Sequence, residues 1–272
     1  VRIGRRLTFF LAVWLIVLPA GATTPDPFAR LAAAYLVQVG ERDLWAGQAD
    51  TRLPPASLTK VMTALIVLED YRPAQVVGVS TVAAQATGSR LRLKVGERFS
   101  VEALLTATLI ASANDACMAL AEFSAGSVEA FVVKMNERAQ VLGLANTHFA
   151  NPCGLDAPEH YSSASDLARI AHAALAHAKF AQLVATPAAE ISTVDGKRHF
   201  HFRNKNALIG SYEPAIGVKS GYTNGAGRCL IALAKKGGVQ VMLVMLNAKS
   251  RWWDAIGIIE NAFDAATTHA AQ

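Results

Sequence analysis

Ser57 and Lys60 stand three residues apart in the stretch Leu53-Pro54-Pro55-Ala56-Ser57-Leu58-Thr59-Lys60-Val61-Met62-Thr63-Ala64-Leu65. On a helix, positions i and i+3 share a face, so a hydroxyl and an amine are held side by side. Such a pair can act as nucleophile and general base if the amine is neutral. Leu58, Val61, Met62, Ala64, Leu65, Ile66, Val67 and Leu68 make the segment apolar on every side, and a helix of that kind is ordinarily buried. Burial disfavours the ammonium form of lysine, in extreme cases by roughly 3–5 pKa units. By itself Ser-x-x-Lys is a weak signal, because about one arises by chance in a chain of this length.

Two further short motifs occur once each, Ser112-x-Asn114 and Lys219-Ser220-Gly221. The elements that must position all three can be read around them. Pro54 and Pro55 enforce an extended entry, so a helix starts at Ala56 or Ser57 and runs to about Glu69. Ser100 caps a helix over residues 101–110, with Glu102 in its first turn. The polar break 111–115 carries Ser112 and Asn114 and leads into a second helix over 116–123. Ser127 caps a helix to Leu142, stopped by Gly143, and residues 146–161 read as a long loop. Ser163-Ala164-Ser165-Asp166 matches a capping box and opens a helix through His177.

Strand patterns lie at the two ends of the chain. Residues 34–39 and 44–46 form a hairpin, and 216–222, 228–233 and 239–246 form three more strands, the last two joined by Lys235-Lys236-Gly237-Gly238. Residues 251–266 then have helical spacing, with Trp252, Ile256, Ile259 and Phe263 on one side, and are expected to pack on the sheet rather than on a membrane. Residues 76–99 give mixed signals, and no element is assigned there. Strands at both ends around a helical middle predict an α/β (α+β) unit, in which an antiparallel sheet formed from both chain ends is flanked by helices and carries an inserted helical subdomain.

Of 272 residues, 52% are hydrophobic and 17% charged, which supports a substantial core and excludes a disordered chain. Residues 1–22 read as an export signal: Arg2, Arg5 and Arg6, then an apolar run, then Ala20-Gly21-Ala22. Its removal would take three of the 26 basic residues and none of the 21 acidic ones, lowering the formal charge from +5 to +2. Nucleic-acid binding therefore does not follow from the charge. Residues 23–33 are expected to be a linker, 34–266 the catalytic domain and 267–272 a tail. Cys117, Cys153 and Cys229 show no C-x-x-C spacing, and buried free thiols are expected for most of them, although export permits a bridge.

In this order, the three motifs are the set of the penicillin-recognising serine acyltransferases. The sequence closely resembles the low-molecular-mass penicillin-binding proteins that are serine-type D-alanyl-D-alanine carboxypeptidases. The resemblance runs from about Ala34 to Phe263 and includes Asn151-Pro152, Gly154-Leu155-Asp156, Tyr161-Ser162-Ser163 and Gly221-Tyr222-Thr223. It implies a β-lactamase/transpeptidase-like fold and hydrolysis of the terminal D-Ala-D-Ala bond of peptidoglycan stem peptides, with β-lactam antibiotics as covalent inhibitors and no cofactor or metal. By the same resemblance, Ser57 attacks, Lys60 is the general base and Ser112 passes a proton to the leaving amine. Asn114 would bind the substrate backbone, Lys219 would add positive field, and the N–H groups of Ser57 and Tyr222 would form the oxyanion hole. Ser220, Gly221 and Arg251 would flank the substrate, with Ser220 and Arg251 on its free carboxylate. Ser220 departs from the family's usual Thr, and Cys153 from a His or Asn.

Longer relatives continue into a C-terminal β-rich domain and a membrane helix. Here neither that β-domain nor a stable membrane anchor is expected, and a soluble periplasmic catalytic domain is the expectation. Related D,D-endopeptidases, which cut cross-links between stems, remain an alternative on the strength of Thr223-Asn224-Gly225-Ala226-Gly227. A class A β-lactamase would need a Glu-x-x-x-Asn spacing after Asn114, and there is none. A non-catalytic penicillin sensor would be expected to have lost a motif residue. Zinc hydrolysis would rest on His199-x-His201 alone, without a third-ligand motif.

Overall fold

The computed structural model describes residues 26–28, 30–70 and 72–270; the leader read over residues 1–22 lies outside them. The first hairpin is β1 (Ala32–Val39) and β2 (Arg42–Gly47). β1 begins inside the stretch expected as a linker, and Phe28, also in that stretch, packs edge-on against Trp45 at 5.5 Å. A 3-10 turn at Ala56–Thr59 leads into α1 (Lys60–Glu69), which is buried except at its C-terminal glutamate. Residues 76–99 hold β3 (Val76–Gly78), α2 (Thr81–Ala84) and most of β4 (Arg98–Ser100), with β3 and β4 paired antiparallel. Elements of three or four residues are too short to show a period, which is why the sequence left them unassigned.

The helical middle follows from its caps. Ser100 Oγ accepts from Ala103 N–H at the start of α3 (Val101–Ile110), Ser127 Oγ from Ala130 N–H at the start of α5 (Val128–Val141), and Ser163 Oγ from Asp166 N–H at the start of α6 (Ala164–Leu175). Between them α4 (Asn114–Ala125) starts two residues earlier than expected, so Asn114 is its first residue rather than part of the break. The helix expected to run through His177 stops at Leu175, and His177 precedes a separate α7 (Ala178–Val184). A hairpin of β5 (Ala188–Ser192) and β6 (His199–Arg203) was not foreseen.

The last third supplies β7 (Ala215–Thr223), β8 (Gly227–Lys236), β9 (Val239–Ala248) and α8 (Trp252–Ala270). The main sheet has the order β2-β1-β9-β8-β7, antiparallel throughout, with Leu36 opposite Val244 where the two ends of the chain meet. Side chains alternate between its faces. Leu36, Ile231, Leu233, Met242 and Val244 join the core under α1 to α7, while Val37, Leu230, Ala232, Leu243 and Met245 receive α8. On α8 the buried stripe is Ala255, Ile258, Ile259, Ala262 and Phe263, with Trp252 and Ile256 at its margin and Trp253 82% exposed. The helix continues through residues 267–270, which were expected to be a tail. Among the described residues no single helix is long and apolar enough to cross a membrane.

The cysteines correct the sequence expectation. Cys117 on α4 and Cys153 in the 146–161 loop form a disulfide, with Cα atoms 6.1 Å apart, and only Cys229 is a buried free thiol. The two partners lie 36 residues apart in sequence, and only the packing of the loop on α4 brings them together.

Candidate active site

Ser57 lies in the 3-10 turn and Lys60 at its junction with α1. With three residues per turn, positions i and i+3 eclipse, which aligns this pair more closely than the α-helix read from the sequence would. Ala56 has φ 49°, a left-handed conformation that is costly for a residue with a Cβ, and Thr59 Oγ1 donates to its carbonyl at 2.9 Å. Two glycines wall the turn. A Cβ on Gly221 of β7 would come within 2.9 Å of Ser57 N, and one on Gly154 would overlap the Ala56 carbonyl. The chain can approach Ser57 this closely only because both positions lack a side chain.

Lys60 is fully buried, with Nζ 3.1 Å from Ser57 Oγ, 2.6 Å from Asn114 Oδ1 and 2.6 Å from the Cys153 carbonyl. Burial holds its pKa well below the ordinary lysine value; Lys219 depresses it further, and Asp115 works in the opposite direction. A neutral amine has two N–H donors and one lone pair. The two carbonyl-type oxygens at 2.6 Å take both donors, which leaves the lone pair facing the Ser57 hydroxyl. This arrangement suits removal of the hydroxyl proton.

Ser112 ends α3 with φ 58°, the left-handed position at a helix C-terminus that glycine usually fills. Lys219 Nζ donates to Ser112 Oγ at 2.9 Å and to the Ser220 carbonyl at 2.8 Å. Lys219 is itself buried, and its pKa is lowered to about 7, first by desolvation and then by Arg251 and Lys205. Asn114 does more than sequence reasoning assigned it: Oδ1 accepts from Lys60, and Nδ2 donates to the Thr87 carbonyl at 2.6 Å. It therefore positions the amine as well as lining the cleft.

On β7, Ser220 Oγ donates to the Lys205 carbonyl at 3.0 Å, and the Tyr222 side chain is exposed beyond Gly221. Arg251 Nη1 donates to the Gly221 carbonyl at 2.7 Å, and its guanidinium lies over Trp252 at 4.1 Å. All three motifs thus converge on one cleft, with Ser57 and Lys60 from the N-terminal part, Ser112 and Asn114 from the α3–α4 junction, and Lys219, Ser220 and Gly221 from the edge strand. The family model described as D-alanyl-D-alanine carboxypeptidase matches residues 31–250.

The chain belongs to that family. It is 39% identical over 241 residues to the D-alanyl-D-alanine carboxypeptidase DacF of Bacillus subtilis, a match covering 84% of this chain and 62% of that protein, so it spans about three fifths of that relative's length. It is 31% identical over 258 residues to a D-alanyl-D-alanine endopeptidase of Pseudomonas aeruginosa, covering 90% of this chain and 82% of that one. The crystal structure of the Streptomyces K15 DD-transpeptidase superposes with a TM-score of 0.82 at 32% identity, covering 89% of this chain and all of that one. The β-lactamase/transpeptidase-like fold expected from the sequence is the fold of this D-alanyl-D-alanine carboxypeptidase family member.

Several residues that support the site were not singled out from the sequence. Asp115 is fully buried and accepts from the backbone N–H groups of Leu91, Leu93 and Ala116, tying the 89–93 strap to α4. Its place beside Asn114, in the first turn of a helix, was a usable signal. His160 Nε2 lies 2.9 Å from Thr59 Oγ1, and its Nδ1 accepts from Ala150 N–H; burial lowers its pKa to about 4. Asp156 accepts from Thr223 Oγ1 and Gly225 N–H, anchoring the turn after β7. His199 and His201 both face Glu190 on the β5–β6 hairpin, far along the chain from these groups.

Proposed function

We propose that this protein is a serine D,D-carboxypeptidase that removes the terminal D-alanine from peptidoglycan stem pentapeptides and is inhibited covalently by β-lactams. The observation that carries this reading is the buried Lys60 amine, 3.1 Å from the Ser57 hydroxyl and 2.6 Å from each of two acceptor oxygens that would take the two N–H groups of its neutral form. Ser57 Oγ attacks the penultimate D-alanine carbonyl while Lys60 Nζ takes its proton. The N–H groups of Ser57 and Tyr222 hold the oxyanion, and loss of one such donor typically costs about 10²–10³ in rate. The C–N bond then breaks, and a proton reaches the leaving amine through Ser112, which Lys219 holds at 2.9 Å. Free D-alanine departs, and water hydrolyses the ester on Ser57. By the family resemblance Ser220 and Arg251 would take the substrate carboxylate, a group that a charge-assisted hydrogen bond suits. This substrate lies outside the cytoplasmic membrane, in keeping with the export signal read over residues 1–22.

The test is incubation with a peptide ending in D-Ala-D-Ala and, separately, with a fluorescent penicillin. D-Alanine release and a one-to-one adduct are expected, both absent in Ser57→Ala. No release and no adduct from the unaltered protein would refute the proposal. A second reading, D,D-endopeptidase, is favoured by the turn at Thr223 to Gly227, anchored by Asp156, and by the similarity to the Pseudomonas endopeptidase. Mass spectrometry of digested muropeptides separates the two, since one shortens pentapeptides and the other splits dimers.

A further inference from the structure

The two close acceptors of Lys60 stand on separate pieces of chain. Asn114 is the first residue of α4, and Cys153 lies in the 146–161 loop. Cys117, one turn beyond Asn114 on α4, is bonded to Cys153. The bridge therefore joins the two pieces within one helical turn of one acceptor and at the very residue whose carbonyl is the other. Asn151 Oδ1 accepts from the N–H groups of Cys153, Gly154 and Leu155, which shapes the loop internally but does not fix it to α4. A hydrogen bond from Thr63 Oγ1 to the Pro152 carbonyl ties the loop to α1. The disulfide is the covalent tie between the loop and the helix that carries Asn114.

We propose that the Cys117–Cys153 bridge is a positioning element for Lys60. It keeps the Cys153 carbonyl and the Asn114 amide on the amine and keeps water away from it, so the acylation rate of Ser57 depends on the redox state of this pair. The inference rests on the reading of Lys60 as the base. A dithiol such as dithiothreitol would deliver two electrons and two protons to the S–S bond, leaving two cysteine thiols and its own cyclic disulfide. With Cys153 no longer bonded to α4, the loop is held at Pro152 and Phe149 but free to move at Cys153, and water reaches Nζ. Desolvation is the largest cause of the depressed Lys60 pKa, so hydration raises the proton affinity of the amine and leaves less of it neutral. The other charged or titratable groups facing Lys60 are Lys219 from β7, Asp115 from α4 and His160 from the loop. Lys219 is held by Ser112 and Ser220, and Asp115 by the 91–93 backbone, independently of the bridge.

The experiment compares second-order acylation by a fluorescent penicillin across pH 5–9 in the oxidised protein, in the same protein treated with dithiothreitol, and in C117A/C153A. Both bridge-free forms should acylate about tenfold more slowly on the acid limb, with that limb moved up by about one pH unit, since well below the pKa each unit changes the neutral fraction tenfold. Dithiothreitol should leave C117A/C153A unaffected. Near-ultraviolet circular dichroism and urea denaturation run alongside. An unchanged rate and acid limb with only a lowered denaturation midpoint would overturn the proposal. So would a loss of rate that tracks the loss of near-ultraviolet signal, for then the bridge staples the whole fold rather than the lysine. If the double variant does not fold, the reduced wild-type protein decides by the same criteria. No adduct in the oxidised protein would instead refute the catalytic reading and this inference with it, whereas adducts with identical pH profiles in all forms would refute this inference alone.

Discussion

Lys219 gives the site a measurable electrostatic signature. It is 1% exposed, its Nζ donates to Ser112 Oγ and the Ser220 carbonyl, and its pKa falls from 10.5 to about 7 on folding. Below pH 7 the lysine is protonated in both states, and the fold carries a charge in a dry site. Between pH 7 and 10.5 the folded protein sheds that proton while the unfolded chain keeps it. The unfolded state then binds more protons, so stability rises with pH, by at most about 1.4 kcal/mol per unit. Over the whole interval the contribution is about 5 kcal/mol.

Lys219→Met keeps the apolar stem and removes the charge. Below pH 7 it relieves that burden of about 5 kcal/mol but leaves Ser112 Oγ and the Ser220 carbonyl without their partner, at a cost of about 1–2 kcal/mol each. The variant should therefore be about 1–3 kcal/mol more stable at pH 6. The advantage should shrink through pH 7–9 and then reverse. Urea denaturation of both proteins at pH 6, 7, 8 and 9 reads this directly. Penicillin acylation should fall in the same variant, and its acid limb should move to higher pH, because Lys219 is one of the groups that depress Lys60. Parallel stability curves from pH 6 to 9, or a wild-type protein more stable than the variant at pH 6, would refute the assignment of a buried, readily deprotonated Lys219.

Gly154→Ala should abolish penicillin labelling and cost more than about 3 kcal/mol in urea denaturation, because the added Cβ overlaps the Ala56 carbonyl at a φ of 82° that disfavours alanine. Asp115→Asn removes the one group that raises the Lys60 pKa, so the acid limb of acylation should move to lower pH; it also turns an amide N–H₂ towards a backbone donor, lowering stability by about 1–3 kcal/mol. His160 has a folded pKa of about 4 against 6.5 unfolded, so the unfolded chain binds the extra proton in that window and stability falls as the pH drops through it, by up to about 3 kcal/mol. His160→Asn should flatten this dependence when denaturation is followed from pH 7 to 4.

Much of the site was legible because side-chain identity carried it. The apolar run around Lys60 announced a buried amine, and the serines at 100, 127 and 163 marked helix starts that the structure places at those residues. What escaped was held by backbone atoms or by convergence. The Cys153 carbonyl would accept from Lys60 whatever side chain stood at 153, so no residue type could announce it. The left-handed φ of Ser112 hid behind a residue that normally avoids it, and the same serine has to supply a hydroxyl that a glycine there would lack. The β5–β6 hairpin did carry a period of two, with Phe200 and Phe202 packed on the core between exposed His199, His201 and Arg203, but each strand is only five residues long and mostly exposed, so it stood out less than the long apolar runs of the main sheet.

The order of the three motifs along the chain says nothing about how they meet, and the sheet supplies the reason. β9 pairs with both β1 and β8, so the C-terminal meander is hung on the N-terminal hairpin and β7 is left as its edge. That edge lies against the Ala56–Thr59 turn, although β2, which precedes the turn, is the opposite edge of the sheet. The approach is so close that Gly221 on one side and Gly154 on the other leave no room for a Cβ beside Ala56 and Ser57. Gly221 is needed for clearance alone, since it lies within a strand and has no left-handed φ, whereas Gly154 meets both demands with φ 82°. Two glycines in otherwise unrelated motifs thus mark the surfaces that must touch for the hydroxyl of Ser57, the amine of Lys60 and the Lys219 strand to share one cleft.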